Sequence, residues 1–206
     1  MTLLPAPHHR LAVPGLLLAV LLGGCEGAPR PEPAPPVHGA VDSTLPIAEE
    51  VRRFIGTVDS VPLALRGGAP SRDELVARFV RAVELGDTLA FPALLVQADE
   101  FIGLYYPHSR YTAPPYELSP SLLWFQMVNQ SSRGIARLLQ RDGGRPLGYR
   151  GTTCPGPPLE EGPNRIWDGC VVRLREAGGA ERERRLFGAI LERDGTFKFL
   201  TFANAY

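Results

Sequence analysis

The chain is poor in lysine. Lys198 is the sole lysine, and every other basic residue is arginine. It also lacks a charge surplus, with 22 basic residues against 22 acidic ones. Without a basic excess there is no electrostatic footprint for nucleic acid or for an anionic membrane surface. Histidine is scarce: only His108 lies in the body of the chain, the others being His8, His9 and His38. No second His or Cys stands at metal-ligand spacing, so neither a metal nor a cofactor is implied. The G-x-S-x-G elbow, the H-E-x-x-H zinc motif and the Walker phosphate loop are all missing. There is no internal repeat. The apolar run over residues 11–24 contains Pro14 and Gly15 and is shorter than the roughly 20 residues a spanning helix needs.

That short run has the shape of an export signal. A weakly basic start (the amino terminus, His8, His9, Arg10) precedes an apolar core and then small residues. Its end, Leu22-Gly23-Gly24-Cys25, resembles the lipobox of bacterial lipoproteins. The resemblance implies removal of residues 1–24 and acylation of Cys25, which would then anchor the chain to a membrane. Two or more acyl chains are needed for a stable anchor. An ordinary signal with a chance cysteine is the plainer alternative. Glu26 in place of Asp leans the expected location, the cell envelope, toward the outer membrane. Residues 25–43 carry five prolines within 29–36 and no apolar periodicity. They read as an extended tether reaching roughly 50 Å, with a Pro-rich recognition motif as the sharper alternative. A single domain is expected over residues 44–206.

If Cys25 carries lipid, Cys154 and Cys170 remain, and two leftover thiols in an oxidising compartment are expected to pair. Within the domain, 45–56 reads as a short amphipathic helix with Ile47, Val51, Phe54 and Ile55 on one face. Ser71-Arg72-Asp73-Glu74 is a capping box, followed by Leu75, Val76, Phe79, Val80 and Val83 at helical spacing and ended by Gly86. Asp87 is expected to cap a further helix through Leu89, Phe91, Leu94 and Leu95, bent or shortened by Pro92. After an aromatic, Pro-rich connection, Ser119-Pro120 opens a long helix that Gly143-Gly144 stops; an interruption is expected near 131–134. From Pro146 onward four strand-like runs alternate with turn signals. ERERR within them reads as the solvated start of a strand. Helices followed by an antiparallel meander predict an α+β domain, with N-terminal helices on one face of a curved antiparallel sheet of about four strands. The disulfide would staple the first hairpin near its Pro-rich tip.

The stretches VELGDTLAFPALL and LERDGTFKFLTFANA resemble the nuclear transport factor 2-like superfamily, the cystatin-like cone, over roughly residues 71–206. The resemblance implies a cavity between helices and sheet and dimerisation through the sheet. It does not imply a function, because that fold hosts isomerases, dehydratases, adaptors and non-catalytic domains. An isomerase-type site would need a carboxyl group and a hydroxyl donor in the cone. The candidates are Asp99, Glu100 and Asp168 with Tyr105, Tyr106 and Tyr111, although no catalytic motif maps onto them. The plain expectation is that Asp99 and Glu100 face water at a helix end and that Trp124, Phe125 and Met127 are core. The long connection bearing Tyr105, Tyr106, His108, Tyr111 and Tyr116 is the expected binding surface or, alternatively, a cover packed over the cavity mouth. The leading expectation is therefore an envelope lipoprotein whose domain binds a protein or small molecule. The alternative is an isomerase- or dehydratase-like enzyme.

Overall fold

The computed structural model describes residues 45–204, Ala177 excepted. The expected signal segment, Cys25 and the expected tether lie outside the described residues. The compact unit spans Thr44–Tyr206. Its described residues form an α+β domain, with helices first and two antiparallel sheets after them.

Helix α1 (Ile47–Ile55) buries only Phe54, which packs on Phe101 and Trp124 at ring-centroid distances of 5.6 and 6.4 Å. Ile47 and Ile55, expected on the buried face, are exposed. Helix α2 (Arg72–Leu85) follows its sequence signals closely. The Ser71 Oγ accepts the Glu74 N–H at 3.2 Å, and Gly86 takes the left-handed cap at φ 64°. The return arm of the capping box is absent, because the Glu74 carboxylate pairs with Arg78 one turn on. Phe79, fully buried on α2, touches the rings of Phe91, Phe187, Phe199 and Phe202 and centres the first hydrophobic core.

Asp87 does accept the Leu89 N–H at 3.0 Å, but helix α3 covers only Phe91–Leu94 and Leu89 is 89% exposed. Pro92 supplies no N–H for a preceding turn, so the helix can only begin around it. The chain then winds through α4 (Ala98–Glu100), a π-helical turn (Phe101–Tyr105) and two 3-10 turns (Tyr106–His108 and Arg110–Thr112). This winding segment is the aromatic connection.

Helix α5 (Pro120–Asp142) starts at Ser119, whose Oγ accepts the Leu122 N–H. It runs without the interruption expected near 131–134. Those small residues serve close packing instead. The Ser131 Oγ accepts the Phe202 N–H at 3.1 Å, and a Cβ on Gly134 would stand 1.9 Å from the Phe202 carbonyl oxygen. They let the C-terminal segment lie directly against the helix.

The four strand-like runs give six short strands, and the segment between the first two runs gives a seventh, all in two sheets. One sheet has the order β1-β4-β5, from β1 (Tyr149–Thr153), β4 (Val171–Arg175) and β5 (Glu181–Arg184). The other has the order β2-β3-β6-β7, from β2 (Leu159–Glu161), β3 (Asn164–Trp167), β6 (Ile190–Arg193) and β7 (Thr196–Phe199). Two runs are cut where the chain changes sheet. Between β3 and β4 this happens at Asp168-Gly169, with Gly169 at φ 68°. Between β5 and β6 it happens at residues 185–189, where Leu186 and Phe187 are buried. The run read only as a Pro-rich break supplies β2. Glu181, Arg182 and Glu183 of β5 are exposed, as the charge of that strand predicts, while Arg184 turns in to pair with Asp142 at 2.7 Å. The Cys154–Cys170 disulfide is present. It joins the end of β1 to the start of β4, strands that pair antiparallel, and the hairpin tip between them folds as β2–β3 into the other sheet.

Candidate functional site

A cleft of about 640 Å³ opens between α5, the four-stranded sheet and the C-terminal segment. Its floor is apolar: Leu123 and Met127 of α5, Ile166 of β3, Phe187 of the sheet-changing bend and Leu200. These side chains belong to the two hydrophobic cores, so the cleft is a gap where the cores meet the surface. Gln126 and Gln130, one turn apart on α5, stand on its rim with Arg110, Asp168 and Arg185. Asp168 and Arg185 face each other there at 3.7 Å.

The cleft gathers some of the residues singled out by sequence and leaves others aside. Tyr105, Tyr111 and Asp168 line it. Tyr106 is buried away from it and donates its hydroxyl to the Leu118 carbonyl at 2.8 Å. His108 is exposed, with its ring against the turn at Gly162. Tyr116 is half-exposed and meets Tyr111 edge-on at 5.3 Å. The connection is thus divided between packing and lining. Asp99 pairs with Arg66. Glu100, expected to face water, is fully buried. It accepts from Lys198 Nζ at 2.7 Å and from the backbone N–H groups of Arg66 and Gln97 at 2.7 and 2.9 Å. Lys198 also donates to the Arg66 carbonyl at 2.9 Å. Phe125, expected in the core, is 64% exposed; Trp124 is half-buried and Met127 buried. A helix carries its apolar side chains inward at every third or fourth position. Leu123 and Met127 occupy that face, so Phe125 falls outside it.

Sequence reasoning missed Glu161. This side chain, 6% exposed, lines the cleft from the end of β2. Its Oε1 accepts the Arg110 N–H at 3.1 Å and stands 4.0 Å from the Arg110 Nε. Its Oε2 is buried and has no hydrogen-bond partner among the described residues. The Tyr105 hydroxyl lies close by, and burial pushes its pKa up to about 12, partly offset by a hydrogen bond with Ser109. It is a neutral phenol over the physiological range. The available signal was slight: the period of a strand puts Glu161 on the face of Leu159, which also lines the cleft. Turn residues on both sides concealed the strand.

No family model matches the chain, and searches of curated proteins and of solved structures find no significant match either. Among the described residues, no group of three or more His, Cys, Asp or Glu could hold a metal ion, and no helix is long and apolar enough to cross a membrane.

Proposed function

We propose that the chain is an envelope lipoprotein, anchored through acylated Cys25 and a Pro-rich tether, whose domain binds a small molecule in the cleft under α5. The cleft carries the reading. Its volume falls within the range of small-molecule sites, about 300–1,000 Å³, and it joins an apolar floor to polar groups that can orient a ligand. The anchor rests on the lipobox resemblance. The isomerase- or dehydratase-like alternative has less support. Of Asp99, Glu100 and Asp168, only Asp168 reaches the cleft, and it stands at the exposed rim.

Each half has its own test. Palmitate should label the wild-type chain and not Cys25→Ser; persistent labelling of that variant would remove the anchor. Gln126→Trp places a large ring over the cleft from an exposed helix position. An envelope small-molecule extract should raise the melting temperature of wild type and leave Gln126→Trp unchanged. Equal responses would contradict binding in the cleft.

A further inference from the structure

Resting on that reading, we infer that the cleft selects an apolar molecule carrying a hydrogen-bond-donating head group, ammonium before hydroxyl, which the free Oε2 of Glu161 receives. The argument starts from satisfaction. Buried polar groups are almost always paired, and one that is not calls for a specific explanation. Glu161 keeps one oxygen on the Arg110 N–H, and the other, buried, has no partner among the described residues, in a side chain that lines the cleft.

The cationic groups at the rim do not supply the missing partner. The Arg110 guanidinium lies over the Tyr111 ring at 5.2 Å and donates to its hydroxyl at 3.3 Å. Arg185 faces Asp168. A ligand donor would complete Glu161, and an ammonium would add charge to the hydrogen bond. A ligand carboxylate would set an acceptor against an acceptor. Elsewhere in the same cleft Leu123, Met127, Ile166 and Leu200 offer apolar surface, which suits a hydrocarbon body better than a sugar or nucleotide.

The test uses the full chain in zwitterionic phospholipid nanodiscs, with empty nanodiscs as the reference. Three probes share one rigid body: 1-adamantanemethylamine, 1-adamantanemethanol and 1-adamantanecarboxylate. Equilibrium dialysis should show the amine binding about tenfold or more tighter than the carboxylate, with the alcohol between them, as expected for a charge-assisted hydrogen bond. Glu161→Gln should reverse the order. Its amide oxygen stays on the Arg110 N–H and its NH2 replaces the free acceptor with a donor. Gln126→Trp should lose all three probes.

If wild type binds none of the probes, the small-molecule reading and this inference both fall. If it binds all three alike and loses them in Gln126→Trp, the cleft stands and the role of Glu161 is overturned. The wild-type ratio decides even if Glu161→Gln fails to fold: a carboxylate bound as tightly as the amine overturns the inference.

Discussion

Glu100 and Glu161 are the same residue type, both withdrawn from water, in two different states. Glu100 is complete. Two backbone N–H groups and the Lys198 ammonium use both its oxygens, and the lysine is tied in turn to the Arg66 carbonyl. That cluster fastens the segment around Arg66 to α4 and β7, and both Glu100 oxygens and the Lys198 Nζ have partners within it. Glu161 is half complete, and its side chain lines the cleft. Burial alone therefore does not mark a working residue. Unmet bonding capacity beside an accessible volume does.

The contrast is sharpest in stability. Lys198→Met strands the Glu100 carboxylate in a dry site, and breaking a buried pair in this way costs about 3–5 kcal/mol. Urea denaturation should show a loss of that size, and Glu100→Gln added to Lys198→Met should recover part of it. A single variant within 1 kcal/mol of wild type would mean that water reaches the pair.

The disulfide comes next. Cys154 and Cys170 hold the ends of β1 and β4 around the β2–β3 hairpin that carries Glu161. In the chain-entropy model a loop of this length contributes about 3 kcal/mol. The double serine variant should lose about that much in the same titration. An unchanged midpoint would show that strand pairing alone holds the hairpin.

Tyr105 gives a pH arm on the cleft side. Its folded pKa is raised from 10 to about 12 by burial. The stabilising preference for the neutral phenol is complete below pH 10 and is lost as the pH rises toward 12. Ultraviolet titration should find a tyrosine that ionises late, and Tyr105→Phe should flatten the alkaline fall in stability between those values. A tyrosinate forming in step with the exposed phenols would place Tyr105 in water.

The smallest effect belongs to Glu161→Gln. Its amide keeps the acceptor for the Arg110 N–H and exchanges one unpartnered polar atom for another, with loss of the charge 4.0 Å from the Arg110 Nε. The expected change is within about 1 kcal/mol, far below that of Lys198→Met. Comparable losses for the two variants would erase the contrast and make Glu161 another structural carboxylate.

What the sequence reveals depends on how local each cause is. The Ser71 and Ser119 caps and the pairing of the last two cysteines need only neighbours along the chain or simple counting, and these are read correctly, although the return arm of the α2 capping box is not formed. The α+β order follows from periodicity. The sheet changes at Asp168-Gly169 and at residues 185–189 do not, because a run of strand-like residues does not say which sheet each half joins. Ser131 and Gly134 look like a helix break until Phe202, far along the chain, is seen lying against them. The same holds for the site. Tyr105, Tyr111 and Asp168 were named from composition and loop position. Glu161 required knowing that β2 exists and which of its faces turns inward. Lys198, the sole lysine, gave no hint that its partner would be a glutamate at a helix end 98 residues away.

The most direct measurement is a crystal structure of the chain with 1-adamantanemethylamine. The account predicts the hydrocarbon body on Leu123, Met127 and Ile166, with its nitrogen about 2.7–2.9 Å from the Glu161 Oε2. An empty cleft, or a probe whose nitrogen turns to solvent while the Oε2 stays bare, would contradict it.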